Sequence, residues 1–129
     1  MADFASPDWI RALDEAVQAS GALREATSDV SLTLRQTLTD RDDGDVSWHI
    51  VVDHGSVRVH PGPGDHADVT FTQDDETARA IGAGTISVQT AFMIGRLRIG
   101  GDTAMLMEHA AAFDSLADLF DELRATTTY

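Results

Sequence analysis

Hydrophobic and polar residues alternate with a period of two in four short segments of the first 72 residues. The apolar positions of these segments are Val30, Leu32 and Leu34, then Trp48, Ile50 and Val52, then Val57 and Val59, and finally Ala67, Val69 and Phe71. Such alternation is typical of β-strands that bury one face. Residues 96–100 repeat the pattern later in the chain. The sequence therefore predicts five strands that form a sheet with one apolar face.

The second and third segments are separated by a plausible hairpin turn, His54-Gly55. Glycine accepts a positive φ there, and histidine tolerates one better than a branched residue does. If Asp53 pairs with Ser56, the large apolar side chains of both strands share one face, and His49 lies opposite His60 on the other. A slip of one residue would destroy this agreement, so the pattern predicts the register as well as the hairpin.

Helical spacing and capping residues predict helices before, between and after the strands. Ser6 precedes a proline and an aspartate, an order that favours the start of a helix. Ser87 is positioned to cap a short apolar helix, Asp102 to cap the next one, and Asp114 or Ser115 to open the last. The order α-ββββ-αα-β-αα predicts an α+β fold in which helices cover one face of a mostly antiparallel sheet.

Composition limits the classes of function that this fold serves. The 129 residues fit one domain over residues 1–129, and 22 acidic against 9 basic side chains give a formal net charge of −13. A field of that sign repels phosphate, so we expect no nucleic-acid partner. The chain has no cysteine, no recognisable secretion signal and no long apolar run. These features predict a soluble, cytoplasmic protein without stable membrane insertion, and they leave its oligomeric state open.

The polar face of the predicted hairpin brings together the residues with the clearest chemical potential. His49, His60 and Asp53 lie there, which would suit a metal ion or a His–Asp acid–base pair. We favour a solvated sheet face, because no two histidines are spaced i, i+4 on a helix and no Gly-x-Ser-x-Gly elbow is present. The glycine-rich segments lack the context of a phosphate-binding loop. The sequence therefore predicts no catalytic residue, no metal and no cofactor.

Large apolar residues are concentrated in the last third of the chain, namely Phe92, Met93, Ile94, Met105, Leu106, Met107, Phe113, Leu116, Leu119, Phe120 and Leu123. Such residues ordinarily pack against the apolar face of a sheet. Some of them could instead line a cavity, because methionine is unbranched and adapts to varied apolar ligands. Periodicity alone leaves both interpretations open.

Three linked segments carry a family resemblance. The first is Val57–His60 with the loop Pro61–Asp65 and the strand Ala67–Phe71, the second is a helix that Asp74-Asp75 opens and Gly84 ends, and the third is Gln89–Asp102. The third contains a short helix, a glycine, a basic–apolar strand and a Gly-Asp helix start. Together they resemble the sterol carrier protein type 2 family. The final residues, Ala125–Tyr129, differ from a Ser-Lys-Leu peroxisomal address, so the chain is similar to bacterial stand-alone members.

The resemblance implies a five-stranded sheet with an apolar tunnel between the sheet and its helices. It also implies a carrier of fatty acid, acyl-CoA, phospholipid or sterol-like molecules, and not an enzyme. The residues expected to line the cavity are Trp48, Ile50, Phe71, Val88, Phe92, Met93, Met105, Leu106 and Phe120.

Two alternative functions remain open at this point. A small cone-shaped isomerase or cyclase would need a carboxylate or histidine pointing into the pocket. A protein-interaction module would use an open apolar groove to bind a partner chain.

Overall fold

The computed structural model describes residues 2–129. Its strands are β1 (Ala2–Asp3), β2 (Ser31–Thr39), β3 (Val46–Asp53), β4 (Ser56–Pro61), β5 (Val69–Asp74), β6 (Leu97–Gly101) and β7 (Thr127–Thr128). Five of them form the main sheet in the order β4-β3-β2-β5-β6, and β1 pairs with β7 in a separate ribbon. Only β2 and β5 are parallel neighbours in the main sheet. The predicted mostly antiparallel sheet is confirmed.

Helices fill the rest of the chain and complete an α+β fold. They are α1 (Pro7–Ala19), α2 (Gly21–Ala26), α3 (Asp75–Gly82), α4 (Val88–Met93), α5 (Ala104–Glu108) and α6 (Ala110–Leu123), followed by a 3₁₀ turn at Arg124–Thr126. Helix α1 packs along β4, and α6 packs against α1 and α2. None of the helices within residues 2–129 is both long and apolar enough to cross a bilayer.

The register of the β3–β4 hairpin agrees with the prediction. Asp53 pairs with Ser56 and His49 pairs with His60. The two turn residues, His54 and Gly55, have φ values of +47° and +89°. Two successive positive φ angles are what a tight hairpin turn with the natural strand twist requires.

One face of the main sheet forms the floor of the hydrophobic core. Its best-buried side chains, none more than 4% exposed, are Leu32, Leu34, Leu38, Trp48, Ile50, Val52, Val57, Val59, Val69 and Leu97. Trp9 of α1 packs on Trp48 with ring centroids 5.2 Å apart. The indole of Trp48 donates to Oε1 of Gln36, 2.5 Å away, which satisfies a polar side chain within this apolar layer.

Two of the predicted helix starts are confirmed. The hydroxyls of Ser6 and Ser87 accept hydrogen bonds from the backbone N–H groups of Trp9 and Thr90. In both cases a short polar side chain satisfies a donor that the first turn of a helix leaves without a partner.

The other two helix starts are wrong. Asp102 is not the cap of α5, because its N–H is bound to the carbonyl of Asp68 and holds it at the end of β6, so the helix begins after Thr103. Helix α6 begins at Ala110, before Asp114 and Ser115, since a run of alanines extends it by a turn.

Candidate ligand site

The cover over the inner face of the sheet is incomplete near its β6 edge. Phe71 of β5 and Ile99 of β6 are neighbours in register, and both are only partly buried. Val69 and Leu97, on the same two strands, are 0% and 3% exposed. Phe71 and Ile99 therefore form an apolar patch, the Phe71–Ile99 patch, that the protein covers less completely than the rest of its core.

Phe113 of α6 provides part of the cover, over Phe71. Met105 and Leu106 of α5 and Phe113 of α6 pack against the core but stay partly buried. The rings of Phe71 and Phe113 have centroids 6.5 Å apart. Farther along α6, Phe120 lies against Trp9, with centroids 6.0 Å apart. Partly buried apolar residues are thus found both on the sheet and on the helices that face it across the core.

Gln73 places a polar group on the inner face, two residues beyond Phe71. Its partners in register are Leu38 and Leu97, which are both buried core residues. Within residues 2–129 its Oε1 atom is buried and has no hydrogen-bond partner, whereas Oε1 of Gln36 accepts from Trp48. A buried acceptor without a donor costs free energy, and a ligand that supplies a donor recovers it.

Our reading of the sequence missed Gln36 and Gln73. The signal was present, because the same alternation that puts Leu34 and Phe71 on the apolar face also puts these glutamines there. A polar residue at an inward position of a strand is a candidate for a specific hydrogen bond.

The structure divides the nine residues that we expected to line the cavity into three groups. Trp48 and Ile50 are fully buried in the core. Phe71, Met105, Leu106 and Phe120 are partly buried against it. Val88, Phe92 and Met93 of α4 are 41%, 52% and 82% exposed, so they lie at the surface. That all nine line one cavity therefore stays a prediction.

Two surface clefts do not include Phe71 or Ile99. The larger, of about 480 Å³, is lined by the chain termini, the β2–β3 turn and Arg79. The smaller, of about 340 Å³, is lined by Thr39, Asp40, Thr72, Gln73, Asp74, Gly95, Arg96 and Arg98. None of the nine expected residues lines either cleft. Phe71 and Ile99 line neither cleft, so neither cleft opens onto the Phe71–Ile99 patch.

The histidines of the polar face have structural partners. His49 and His60 stack with ring centroids 5.3 Å apart, and Nδ1 of His49 lies 2.8 Å from the carbonyl oxygen of Gly62. Asp53 interacts instead with His54, 2.8 Å away. Within the described chain, no three histidine or carboxylate side chains are arranged to hold a metal ion. His49 fastens the loop after β4, and the alternative His–Asp pair of His49 or His60 with Asp53 is not assembled there.

Three aspartates have a pKa below the usual value, and in each case structural hydrogen bonds outweigh the effect of burial. Burial alone would raise the pKa of Asp68, but Oδ2 accepts from the N–H of Thr33 at 2.7 Å and Oδ1 interacts with His66 at 2.9 Å. Hydrogen bonds with Thr77 lower the pKa of Asp74. Hydrogen bonds from Arg58 and Val59 overcome burial at Asp14. These carboxylates hold charge and fasten the fold, whereas an enzymatic acid needs a raised pKa.

Buried polar side chains give little support to the isomerase-type alternative. Those within residues 2–129 are Thr27, Gln36, Thr77 and Thr127. None of these four is a carboxylic acid or a histidine, and proton transfer within an apolar pocket depends on such a group.

Comparisons with known proteins agree with one another on the fold. A model of the SCP-2 sterol transfer family matches residues 11–114 of the chain. A search of the curated proteins finds no match. A crystal structure of sterol carrier protein 2 is 23% identical, covers 93% of this chain and 98% of that one, and superposes with a TM-score of 0.79.

Two solution structures are similar as well. Sterol carrier protein domain 2 of Helicoverpa armigera is 24% identical, with 93% of this chain and 91% of that one covered and a TM-score of 0.68. Palmitated SCP2L2 from Aedes aegypti is 22% identical, with 89% of this chain and 94% of that one covered and a TM-score of 0.62. At these identities the solved structures establish a shared fold.

Proposed function

Because the chain belongs to the SCP-2 sterol transfer family, a family of lipid-binding and lipid-transfer domains, we propose that it is a non-catalytic carrier of one hydrophobic small molecule. The ligand binds between the Phe71–Ile99 patch and helices α5 and α6. The observation that carries this proposal is the incomplete burial of Phe71 and Ile99 beside fully buried neighbours on the same strands. Apolar surface that the protein itself does not bury is available to an apolar ligand.

Burial of the ligand drives binding. Each Å² of apolar ligand surface removed from water contributes about 25 cal/mol before the costs of ordering the ligand. Helices α5 and α6 move away from the sheet to admit the ligand. Met105 suits this movement, because its flexible side chain repacks at low cost.

Gln73 gives the site a preference among lipids. Its buried Oε1 atom accepts a hydrogen bond, so it favours a ligand that donates one, such as a sterol or alcohol hydroxyl or a protonated fatty acid. Fatty acid, acyl-CoA, phospholipid and sterol-like molecules all supply the apolar part. The ligand with a hydroxyl close to that apolar part is the one that satisfies Gln73. The Aedes aegypti relative in its palmitated form supports an acyl chain as a ligand of this fold.

We assign Trp48 and Ile50 to the floor of the site, and Phe71, Met105, Leu106 and Phe120 to its walls. Val88, Phe92 and Met93 line the cavity only if α4 folds over it when the ligand binds. The absence of cysteine and the net charge of −13 agree with a cytoplasmic bacterial carrier, which is the setting that we propose.

Lipid analysis of the purified protein tests the proposal directly. Protein prepared without detergent is examined by native mass spectrometry, and a fluorescent fatty acid is then titrated into delipidated protein with and without a chelator. We expect one lipid per chain and saturable binding that the chelator does not change. Binding that needs a metal, or no binding at tens of micromolar, would contradict the proposal.

A further inference from the structure

We propose that the turn from α4 into β6 docks the protein on an anionic lipid bilayer. We call this surface the α4 tip and define it as Val88, Phe92, Met93 and Ile94 with Arg96 and Arg98. The apolar side chains enter the boundary between headgroups and acyl chains, and the two guanidinium groups contact lipid phosphates. This inference deepens the carrier proposal, because a carrier must meet a membrane, but docking is measurable without any cargo.

The apolar part of the α4 tip projects into solvent. Phe92, Met93 and Ile94 are consecutive and are 52%, 82% and 59% exposed, and Val88 is 41% exposed. In α4 only Ala91 is buried. Gly95, with φ +79°, then turns the chain into β6, so the exposed residues lie at a turn on the surface. The exposure of three successive large apolar side chains to water is unfavourable in free energy, and such exposure marks an interaction surface.

The basic part of the α4 tip follows directly in the sequence. The chain contains nine arginines and no lysine. Within residues 2–129, Arg96 and Arg98 are the arginines whose guanidinium groups make no ion pair and no hydrogen bond. The others each bind a carboxylate or a backbone carbonyl. Two cations that make no ion pair within the described residues thus adjoin exposed apolar side chains, and this combination matches the phosphate layer and the acyl-chain layer of an anionic bilayer.

Nearby carboxylates and the acidic net charge limit the attraction between the α4 tip and anionic lipid to short distances. Asp40 and Asp74 share a cleft with both arginines, and the charge of Arg96 helps to lower the pKa of Asp74. The net charge of −13 repels an anionic surface at long range. Docking is therefore weak, reversible and sensitive to salt, as suits a carrier that has to leave the membrane again.

A bilayer fits the α4 tip better than a protein partner does. A stable protein interface uses about 20–30 residues on each side. The apolar part of the α4 tip offers four exposed side chains, and none of these lines either of the two clefts. A few apolar side chains together with neighbouring cations are enough for binding at a lipid surface, because the acyl chains and the anionic headgroups both contribute.

The chain offers a matched pair of methionines for the test. Met93 and Met107 are 82% and 86% exposed, and both belong to short helices. Co-sedimentation is measured with vesicles of phosphatidylcholine alone and with added phosphatidylglycerol, at physiological and at high salt. At physiological salt, which screens the long-range repulsion by the net charge of −13, we expect wild type to bind the anionic vesicles. Met93→Asp should lose at least about tenfold in partitioning, and Met107→Asp should stay near wild type. No binding by wild type, or equal losses in both variants, would overturn the proposal.

The two arginines have their own control. Arg96→Gln/Arg98→Gln should weaken partitioning onto anionic vesicles by about tenfold or more. Arg11→Gln/Arg24→Gln removes the same charge from exposed positions away from the tip and should change it by no more than about twofold. Equal effects in the two double variants would mean that only net charge matters, which would contradict a defined docking surface.

A tryptophan reporter separates insertion from surface contact. Trp9 and Trp48 are 1% and 2% exposed, so brominated lipids cannot reach them. In Phe92→Trp we expect bromine-dependent quenching on anionic vesicles, and its absence would overturn insertion. Cargo binding is measured in the same variants without vesicles. Docking without cargo binding would refute the carrier proposal alone, and cargo binding without docking would refute this inference alone.

Discussion

The carboxylate of Asp14 on α1 accepts a hydrogen bond from the backbone N–H of Val59 on β4, 2.8 Å away. β4 is an edge of the main sheet, and the N–H of Val59 bonds to α1 and not to the neighbouring strand β3. The same carboxylate accepts from Arg58, at 3.2 Å to Nε. An open sheet edge favours pairing with another chain, and here a helix covers it with one partly buried hydrogen bond. Asp14 thereby joins the helical layer to the sheet.

Removing this carboxylate should destabilise the fold. In Asp14→Ala the N–H of Val59 loses its partner, and we expect the free energy of unfolding to fall by about 1–3 kcal/mol. Glu15→Ala changes an exposed neighbour on the same helix and should cost less than about 0.5 kcal/mol. Urea denaturation at neutral pH checks both values. Equal stability of the two variants would show that the hydrogen bond between Asp14 and the edge strand β4 does not stabilise the fold.

Stability should also depend on pH through the aspartates. Folding lowers the pKa of Asp14 and Asp68, whereas aspartates of the unfolded chain titrate near about 4. Their contribution is therefore complete above that pH and is lost as the pH falls through the lower folded-state pKa values. Urea midpoints measured from neutral to acidic pH should decline below about pH 4, and less steeply in Asp14→Asn. An identical decline in wild type and Asp14→Asn would contradict this linkage.

Gly101 is expected to be the least replaceable glycine at the end of β6. Its φ is +79°, and a Cβ there would collide with the carbonyl oxygen of Asp68. Gly44 has a φ of +91° but open space around it, so it reports the cost of the backbone conformation alone. We expect Gly44→Ala to lose about 1 kcal/mol and Gly101→Ala clearly more, measured by thermal or chemical unfolding. Equal losses of stability would mean that the close approach of Gly101 to Asp68 adds nothing to the cost of the substitution.

The two inward glutamines should respond in opposite ways to the same change. Gln36→Leu leaves the indole N–H of Trp48 without an acceptor and should cost about 1–3 kcal/mol of stability. Gln73→Leu removes an acceptor that has no partner among residues 2–129, so ligand-free stability should stay the same or rise.

Ligand titration of Gln73→Leu extends this comparison. A lipid with a hydroxyl should lose more affinity than a lipid without a donor, because only the former bonds to Oε1. If both lipids lost affinity equally, Gln73 would serve only to fill space.

Local patterns predicted the parts of the fold that depend on neighbouring residues. The β3–β4 register follows from alternation on both sides of a two-residue turn, so the sequence holds all the information it needs. The parallel pairing of β2 with β5 joins segments that are far apart in the chain, and no local pattern specifies it. The start of α5 was misplaced for a similar reason, because the bond between Asp102 and Asp68 is a tertiary contact.

The candidate site was harder to predict than the fold. Phe71 and Phe92 look alike in the sequence, yet one lies against the core and the other is 52% exposed. Hydrophobicity identifies residues that can be buried, and tertiary packing decides which of them are. Short helices such as α4 carry apolar side chains around most of their circumference, so their periodicity does not indicate an inward side.

The most direct test of a carrier site between the sheet and α5–α6 is intermolecular NOE spectroscopy with a ¹³C-methyl-labelled protein and an unlabelled bound fatty acid. The account predicts NOEs from the acyl chain to the methyl groups of Ile99, Met105 and Leu106, with none to Val51 on the opposite face of the sheet. NOEs confined to Val88, Met93 and Ile94, or to residues of the cleft at the chain termini, would contradict it.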